Sequence, residues 1–115
     1  MIHFIKRFFF AISGILYALL HDLSYRTQII IGLTVIGSLS FFLYPLTQVE
    51  LLFLILGWVL MLITELQNTS FETALDRIHP EQHVSVGRSK DMAAGAVLIA
   101  SCFFGLVILT ILYNH

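Results

Sequence analysis

Apolar residues in this chain come in long blocks, and the polar residues are gathered between them. Three blocks are long enough, or nearly so, to cross a bilayer, which requires about 20 mostly apolar residues in a helix. They predict membrane spans at residues 28–46, 48–66 and 92–113. Only residues 47–50 separate the apolar runs of the first two spans, and a connection this short should make them an antiparallel hairpin.

The first 21 residues follow a different pattern. Their apolar run is interrupted by Lys6, Arg7 and Ser13. On a helical wheel the polar residues gather on one side and the large apolar residues on the other. This pattern predicts an amphipathic helix at residues 1–21 that lies in the membrane surface, rather than a fourth span or a cleaved signal peptide.

Composition places the chain among integral membrane proteins. Its 115 residues are 58% hydrophobic and 11% charged, with a mean hydropathy of +0.93, which is too apolar for a soluble domain of this size. A net charge of −1 offers no basic patch for nucleic acid, and the single cysteine, Cys102, allows no disulfide within one chain. The sequence therefore predicts one all-α membrane domain over residues 1–115.

The cations predict how the domain is oriented in a cell (inner) membrane. They precede the first span or lie between the second and third, and none lies in the hairpin or after the third span; they are Lys6, Arg7, Arg26, Arg77, Arg88 and Lys90. The positive-inside rule then places the N-terminus and residues 65–91 on the cytoplasmic side, and the C-terminus outside.

Residues 65–91 hold most of the ionisable groups of the chain. On an α-helix, Glu65, Asn68, Glu72 and Asp76 fall within an arc of about 80° and so share one face. In a soluble protein such a face would be an ordinary solvated surface. Here it continues directly from an apolar run, which puts Glu65 and Asn68 at a membrane boundary, where ionisable groups are costly and usually functional.

Clustered carboxylates need a cation to relieve their repulsion, and oxygen ligands of this kind suit Mg²⁺ shared with phosphates. With Ser89 as its N-cap, the third span would begin beside Lys90 and favour an anion at the same place. The sequence contains no Gly-rich phosphate loop and no protein-kinase signature. The five histidines match no zinc pattern. Spacing alone indicates a metal-dependent site at the membrane surface, with phosphoryl transfer as one option.

A channel subunit and a structural scaffold are the alternatives from other classes. A pore would need polar residues in the middle of the spans, which offer only scattered serines and threonines. A scaffold would not need the pair Lys90 and Asp91 opposite a face of carboxylates. Both alternatives are therefore less favoured than an enzyme.

The polar segment resembles the signature of the prokaryotic diacylglycerol kinase family, which also contains the undecaprenol kinases. The matching positions are Glu65, Asn68, Thr69, Glu72, Asp76, Arg77, His83, Gly87, Arg88, Lys90, Asp91 and residues 92–98. Residues 7–8, 11, 14, 17–19 and 25–26 extend the likeness to nearly the whole chain. The resemblance implies a homotrimeric helical bundle, each subunit having three transmembrane helices and a surface helix.

The resemblance also implies roles for individual residues. Glu65 would be the general base, and Asp22 and Glu72 would bind Mg²⁺, with ATP as phosphoryl donor. Nucleotide contacts would come from Asp22, Glu72, Glu81, Gln82, His83, Lys90 and Asp91, with Asn68 and Asp76 in support. Asp22 stands where the family has a glutamate, and Gln82 stands where an aromatic residue is common.

The acceptor lipid is the least determined feature. Diacylglycerol and undecaprenol both present a primary hydroxyl at the same depth, so the polar face does not distinguish them. Residues 76–78 and 86–91 resemble the diacylglycerol-using branch, while residues 7–8, 17–19 and 68–69 resemble the undecaprenol branch. The sequence favours diacylglycerol, with undecaprenol as the alternative.

Overall fold

The computed structural model describes residues 1–81 and 83–115, which form four α-helices. These are α1 (Ile2–His21), α2 (Leu23–Phe42), α3 (Gln48–Ile78) and α4 (Val84–Tyr113). The prediction of an all-α membrane fold is confirmed, because each helix is long and apolar enough to cross a membrane. Since α1 also meets that criterion, its placement in the membrane surface stays a prediction.

Asp22 alone separates α1 from α2. Its backbone is extended, with φ −108° and ψ 103°, so the chain changes direction at this residue. Its side chain accepts a hydrogen bond from the backbone N–H of Tyr25, at 3.3 Å, and so caps the first turn of α2. The cap places a carboxylate at the corner between the two helices.

The predicted hairpin between the first two spans is formed by α2 and α3. At the start of α3, the Thr47 hydroxyl accepts from Glu50 N at 3.1 Å, and the Glu50 carboxylate accepts from Thr47 N at 2.9 Å. This reciprocal capping box satisfies two backbone N–H groups that a helix start leaves unpaired. The helices are antiparallel, because Gln28 near the start of α2 contacts Glu65 in the second half of α3.

Helices α3 and α4 are longer than a bilayer requires. With 31 and 30 residues they extend about 45 Å each, against about 30 Å for the hydrocarbon layer. The sequence prediction for the start of α4 is wrong: the helix begins at Val84 with His83 as its N-cap, and Ser89 lies inside it. Gly87 lies within the first turns of α4, and a glycine costs a helix interior only about 1 kcal/mol, so the helix continues through it.

The core lies between α3 and α4. It consists of Leu54, Met61, Ala100, Phe104, Val107 and Ile111. At Gly57 an added Cβ would lie 3.0 Å from the Phe104 ring, so the glycine allows α3 and α4 to approach closely. Most other large apolar side chains are exposed, which fits a chain surrounded by lipid or by other apolar helices.

Candidate active site

Glu65 is the one charged side chain that is buried in the described part of the chain, with 6% of its surface exposed. Its Oε1 accepts a hydrogen bond from Gln28 Nε2 at 3.2 Å, and its Oε2 accepts one from the Thr69 hydroxyl at 2.9 Å. Burying a carboxylate is costly unless its oxygens are hydrogen-bonded. Each Glu65 oxygen has a hydrogen-bond donor within reach, and these two contacts orient the carboxylate.

Thr69 connects Glu65 to the corner between α1 and α2. Its hydroxyl lies 2.6 Å from Asp22 Oδ2 and 2.9 Å from Glu65 Oε2. A hydroxyl carries one hydrogen, so Thr69 donates to one of the two carboxylates at a time. Two acidic groups far apart in sequence therefore meet at a single hydroxyl.

The ionisation of Asp22 follows from these contacts. Burial by itself raises the pKa of Asp22, but its hydrogen bonds with the Thr69 hydroxyl, the Glu65 carboxyl group and the backbone of Tyr25 and Ser24 together outweigh burial. The pKa of Asp22 is therefore lower than its usual value. An aspartate that stays ionised is an available ligand for a cation.

Asn68 and Glu72 continue the same face of α3 beyond Glu65. Asn68 Nδ2 donates to Glu72 Oε1 at 3.4 Å, as residues four apart on a helix can do. Asn68 Oδ1 is buried and has no hydrogen-bond partner in residues 1–81 and 83–115. Glu72 itself is exposed.

The carboxylates of Asp22 and Glu72 are hard oxygen ligands of the kind that Mg²⁺ prefers, but their contacts are separate: Asp22 bonds Thr69, and Glu72 accepts from Asn68. Within the described residues no three His, Cys, Asp or Glu side chains converge as a ready-made metal cage. Mg²⁺ does not require one, because it usually takes one or two carboxylates and completes its shell with water and phosphate.

A second polar group lies where α3 and α4 meet. Lys90 of α4 forms an ion pair with Asp76 of α3. Both residues line an open cleft of about 460 Å³ together with His79, Pro80, Glu81, His83, Val84, Val86 and Gly87. That volume falls within the usual range for small-molecule sites.

The remaining predicted residues surround this cleft or lie near it. His83 Nδ1 accepts from Ser85 N at 3.3 Å and caps α4, and Glu81 lies 3.5 Å from His79 Nδ1. Asp91 is exposed on α4 next to Lys90. Gln82 lies outside the described residues.

Sequence reasoning missed the two residues that hold Glu65. Thr69 appeared only as a matching position without a role, and Gln28 was not singled out. A signal for Gln28 existed, because it is an amide at the start of an otherwise apolar span, where a polar side chain needs a partner.

Comparison with known proteins decides the class of the chain. Its sequence matches the family described as prokaryotic diacylglycerol kinase over residues 9–112. The chain belongs to the prokaryotic diacylglycerol kinase family. The diacylglycerol kinase of Haemophilus influenzae is 32% identical over 91% of this chain and 87% of its own length. That of Helicobacter pylori is 31% identical over 89% of this chain and 78% of its own. The Escherichia coli diacylglycerol kinase is 39% identical over 54% of this chain and 51% of its own.

Membership of this kinase family confirms two predictions: the family itself, and a lipid kinase rather than a channel subunit or scaffold.

Proposed function

We propose that this protein transfers the γ-phosphoryl group of ATP to the free hydroxyl of a membrane diacylglycerol and so forms phosphatidic acid. Family membership and the names of the relatives support the reaction class and the acceptor. The observation that carries the proposal is the buried Glu65 carboxylate, held by Gln28 and Thr69 beside Asp22. It lies where the apolar part of α3 gives way to its polar part, the depth at which a lipid hydroxyl is found.

Glu65 acts as the general base. The acceptor hydroxyl gives its proton to the Glu65 carboxylate as its oxygen forms a bond to the γ-phosphorus of ATP. The bond from that phosphorus to the bridging oxygen breaks, and ADP leaves. A carboxylate that neighbouring donors already orient needs little reorganisation at this moment, which is the property that positioned bases exploit.

Asp22 and Glu72 would hold a magnesium ion, which supplies neutralisation of phosphate charge when it is bound with ATP. Asp22 is one methylene shorter than the family's glutamate. The contact between Asp22 and the Thr69 hydroxyl supports its role, because it draws the corner between α1 and α2 against α3. Asn68 supports Glu72 through its side-chain amide.

The nucleotide occupies the cleft between the ends of α3 and α4. Lys90 and Asp91 lie on the phosphate side, and Glu81 and His83 lie near the nucleotide. Gln82, which is outside the described residues, stays a predicted nucleotide contact. Asp76 supports Lys90, because their ion pair holds the ammonium group at the edge of the cleft. An ammonium group at such a site attracts phosphate as a point charge.

Each active site is shared between subunits of a homotrimer. Asp76 follows Glu65 by 76 − 65 = 11 residues on α3, which corresponds to about 16 Å along the helix axis. Lys90 is paired with Asp76, so the base and the ammonium group of one chain are too far apart to serve one γ-phosphoryl group. A neighbouring subunit that supplies one of them removes this difficulty.

Helix α1 lies in the membrane surface. Its second half faces α3 across a cleft of about 510 Å³, whose α3 side is Leu66, Thr69, Ser70, Thr73 and Ala74. These residues lie at or beyond the predicted end of the second span, so the second half of α1 lies beside the polar part of α3. The cations of α1 and of residues 77–90 support a cytoplasmic position for this end of the domain.

The test is a comparison of kcat/KM for diacylglycerol and undecaprenol in the same bilayer with ATP and Mg²⁺. Discrimination between substrates is a ratio of these values. We expect diacylglycerol to be preferred. A preference of about tenfold or more for undecaprenol would overturn the acceptor and leave the kinase activity standing. Failure to phosphorylate either lipid would overturn the function.

A further inference from the structure

We propose that Gln28 is a positioning residue for the base, and that Trp58 sets its position by fixing α2 against α3. The inference deepens the proposed function and rests on the role of Glu65 stated there. The observation behind it is that the Gln28 amide is the α2 group that bonds the buried carboxylate.

In the hydrogen bond between Gln28 and Glu65, the amide is the donor and the carboxylate is the acceptor. Gln28 Nε2 donates to Glu65 Oε1 at 3.2 Å, across the interface between α2 and α3. The opposite orientation of the amide would place a carbonyl oxygen against a carboxylate oxygen, two acceptors with no hydrogen between them. The ionised base therefore selects the amide orientation, and the amide in turn restrains the base.

Trp58 fixes the backbone of α2 at this level. Its indole Nε1 donates to the backbone oxygen of Gln28 at 3.0 Å. The indole ring also occupies the space where residue 32 would carry a side chain, since a Cβ at Gly32 would overlap the Trp58 ring. Gly32 therefore allows the indole to lie directly against the backbone of α2.

The two contacts act together because of their spacing. Trp58 and Glu65 are seven residues apart, so they lie on the same face of α3, two turns from each other. Gln28 and Gly32 are one turn apart on α2. With the indole seated over Gly32, the register of the two helices brings the Gln28 amide to the Glu65 carboxylate.

Gln28→Glu is the main test, because it keeps the shape of the side chain and replaces the donor by a negatively charged acceptor. We expect kcat for diacylglycerol to fall about tenfold or more, with KM for magnesium-ATP within about threefold of wild type. Gln48→Glu makes the same chemical change at the exposed start of α3, and its kinetics should match wild type. Equal kcat values for Gln28→Glu and Gln48→Glu would overturn the inference.

Two further variants separate positioning from folding. In a Glu65→Asp background the shorter carboxylate no longer reaches the amide, so Gln28→Ala should cost less in kcat than it does in wild type. Trp58→Phe keeps a ring over Gly32 but removes the N–H donor, and should lower kcat without changing KM for magnesium-ATP. Equal losses from Gln28→Ala in both backgrounds would show that Gln28 does not act through Glu65.

Different results would overturn the proposed function and the role of Gln28. The function fails if the wild-type protein phosphorylates no lipid. The inference fails if wild type is active and Gln28→Glu is as active as wild type. Thermal unfolding in detergent, measured on each variant, identifies a loss of kcat that comes from a loss of the folded state, and only folded variants count in either comparison.

Discussion

Removing the hydroxyl of Thr69 should disrupt both carboxylates of the candidate site at once. Thr69→Val keeps the shape of the side chain and deletes the donor that lies 2.6 Å from Asp22 and 2.9 Å from Glu65. The two acidic groups would then lose the donor that they share. Because like charges repel, we expect Asp22 to turn away and the corner between α1 and α2 to separate from α3.

The size of the effect follows from the bond that is lost. One hydroxyl proton serves one carboxylate at a time, so a single hydrogen bond to a charged group disappears, worth about 1.5–3 kcal/mol. At about 1.4 kcal/mol for each factor of ten, kcat/KM for magnesium-ATP should fall about 10- to 100-fold. The Mg²⁺ concentration that gives half-maximal activity should rise at the same time, because Asp22 is a proposed ligand.

The assay is lipid phosphorylation in a defined bilayer, titrated with Mg²⁺ at saturating lipid. Thr69→Ser retains the hydroxyl and should keep most of the activity. Thr73→Val is the matched control, since the Thr73 hydroxyl bonds only the backbone oxygen of Thr69, at 2.8 Å, among the described residues. If Thr69→Val kept the wild-type kcat/KM and Mg²⁺ dependence, the link between Asp22 and Glu65 would have no part in catalysis.

Two other predictions concern the metal and the assembly. Glu72→Ala should lower magnesium-dependent activity about 100-fold or more, whereas Asp22→Glu should be tolerated because it restores the family's longer ligand. Full activity of Asp22→Ala would remove that residue from the metal site. Mixing inactive Glu65→Gln and Lys90→Ala subunits should restore activity if the two residues of one site come from different chains. No recovery in mixed trimers whose composition has been verified would favour sites built within one subunit.

The sequence predicted the helices and the polar face of α3 because each depends on residues that are close together in the chain. Long apolar blocks gave the helices, and the spacing of Glu65, Asn68 and Glu72 gave their common face once α3 was helical through Ile78. The start of α4 was misplaced because its first turns are polar and contain a glycine, a composition that also fits a loop.

The contacts that complete the site could not be read from spacing. Asp22 reaches Thr69 across 47 positions, and Gln28 reaches Glu65 across 37. Both contacts depend on how α2 lies against α3, which Trp58 and Gly32 determine. Apolar periodicity predicts that such helices associate and says little about their register.

The role of Glu65 is tested most directly by Glu65→Gln, which removes the base and keeps nearly the same shape. General-base catalysis contributes about 10²- to 10⁴-fold, so kcat for diacylglycerol should fall by that factor. Nucleotide affinity, measured by binding of a non-hydrolysable ATP analogue with Mg²⁺, should stay within about threefold, since Glu65 is not a proposed nucleotide ligand. A variant that kept about a tenth or more of the wild-type kcat would contradict Glu65 as the base.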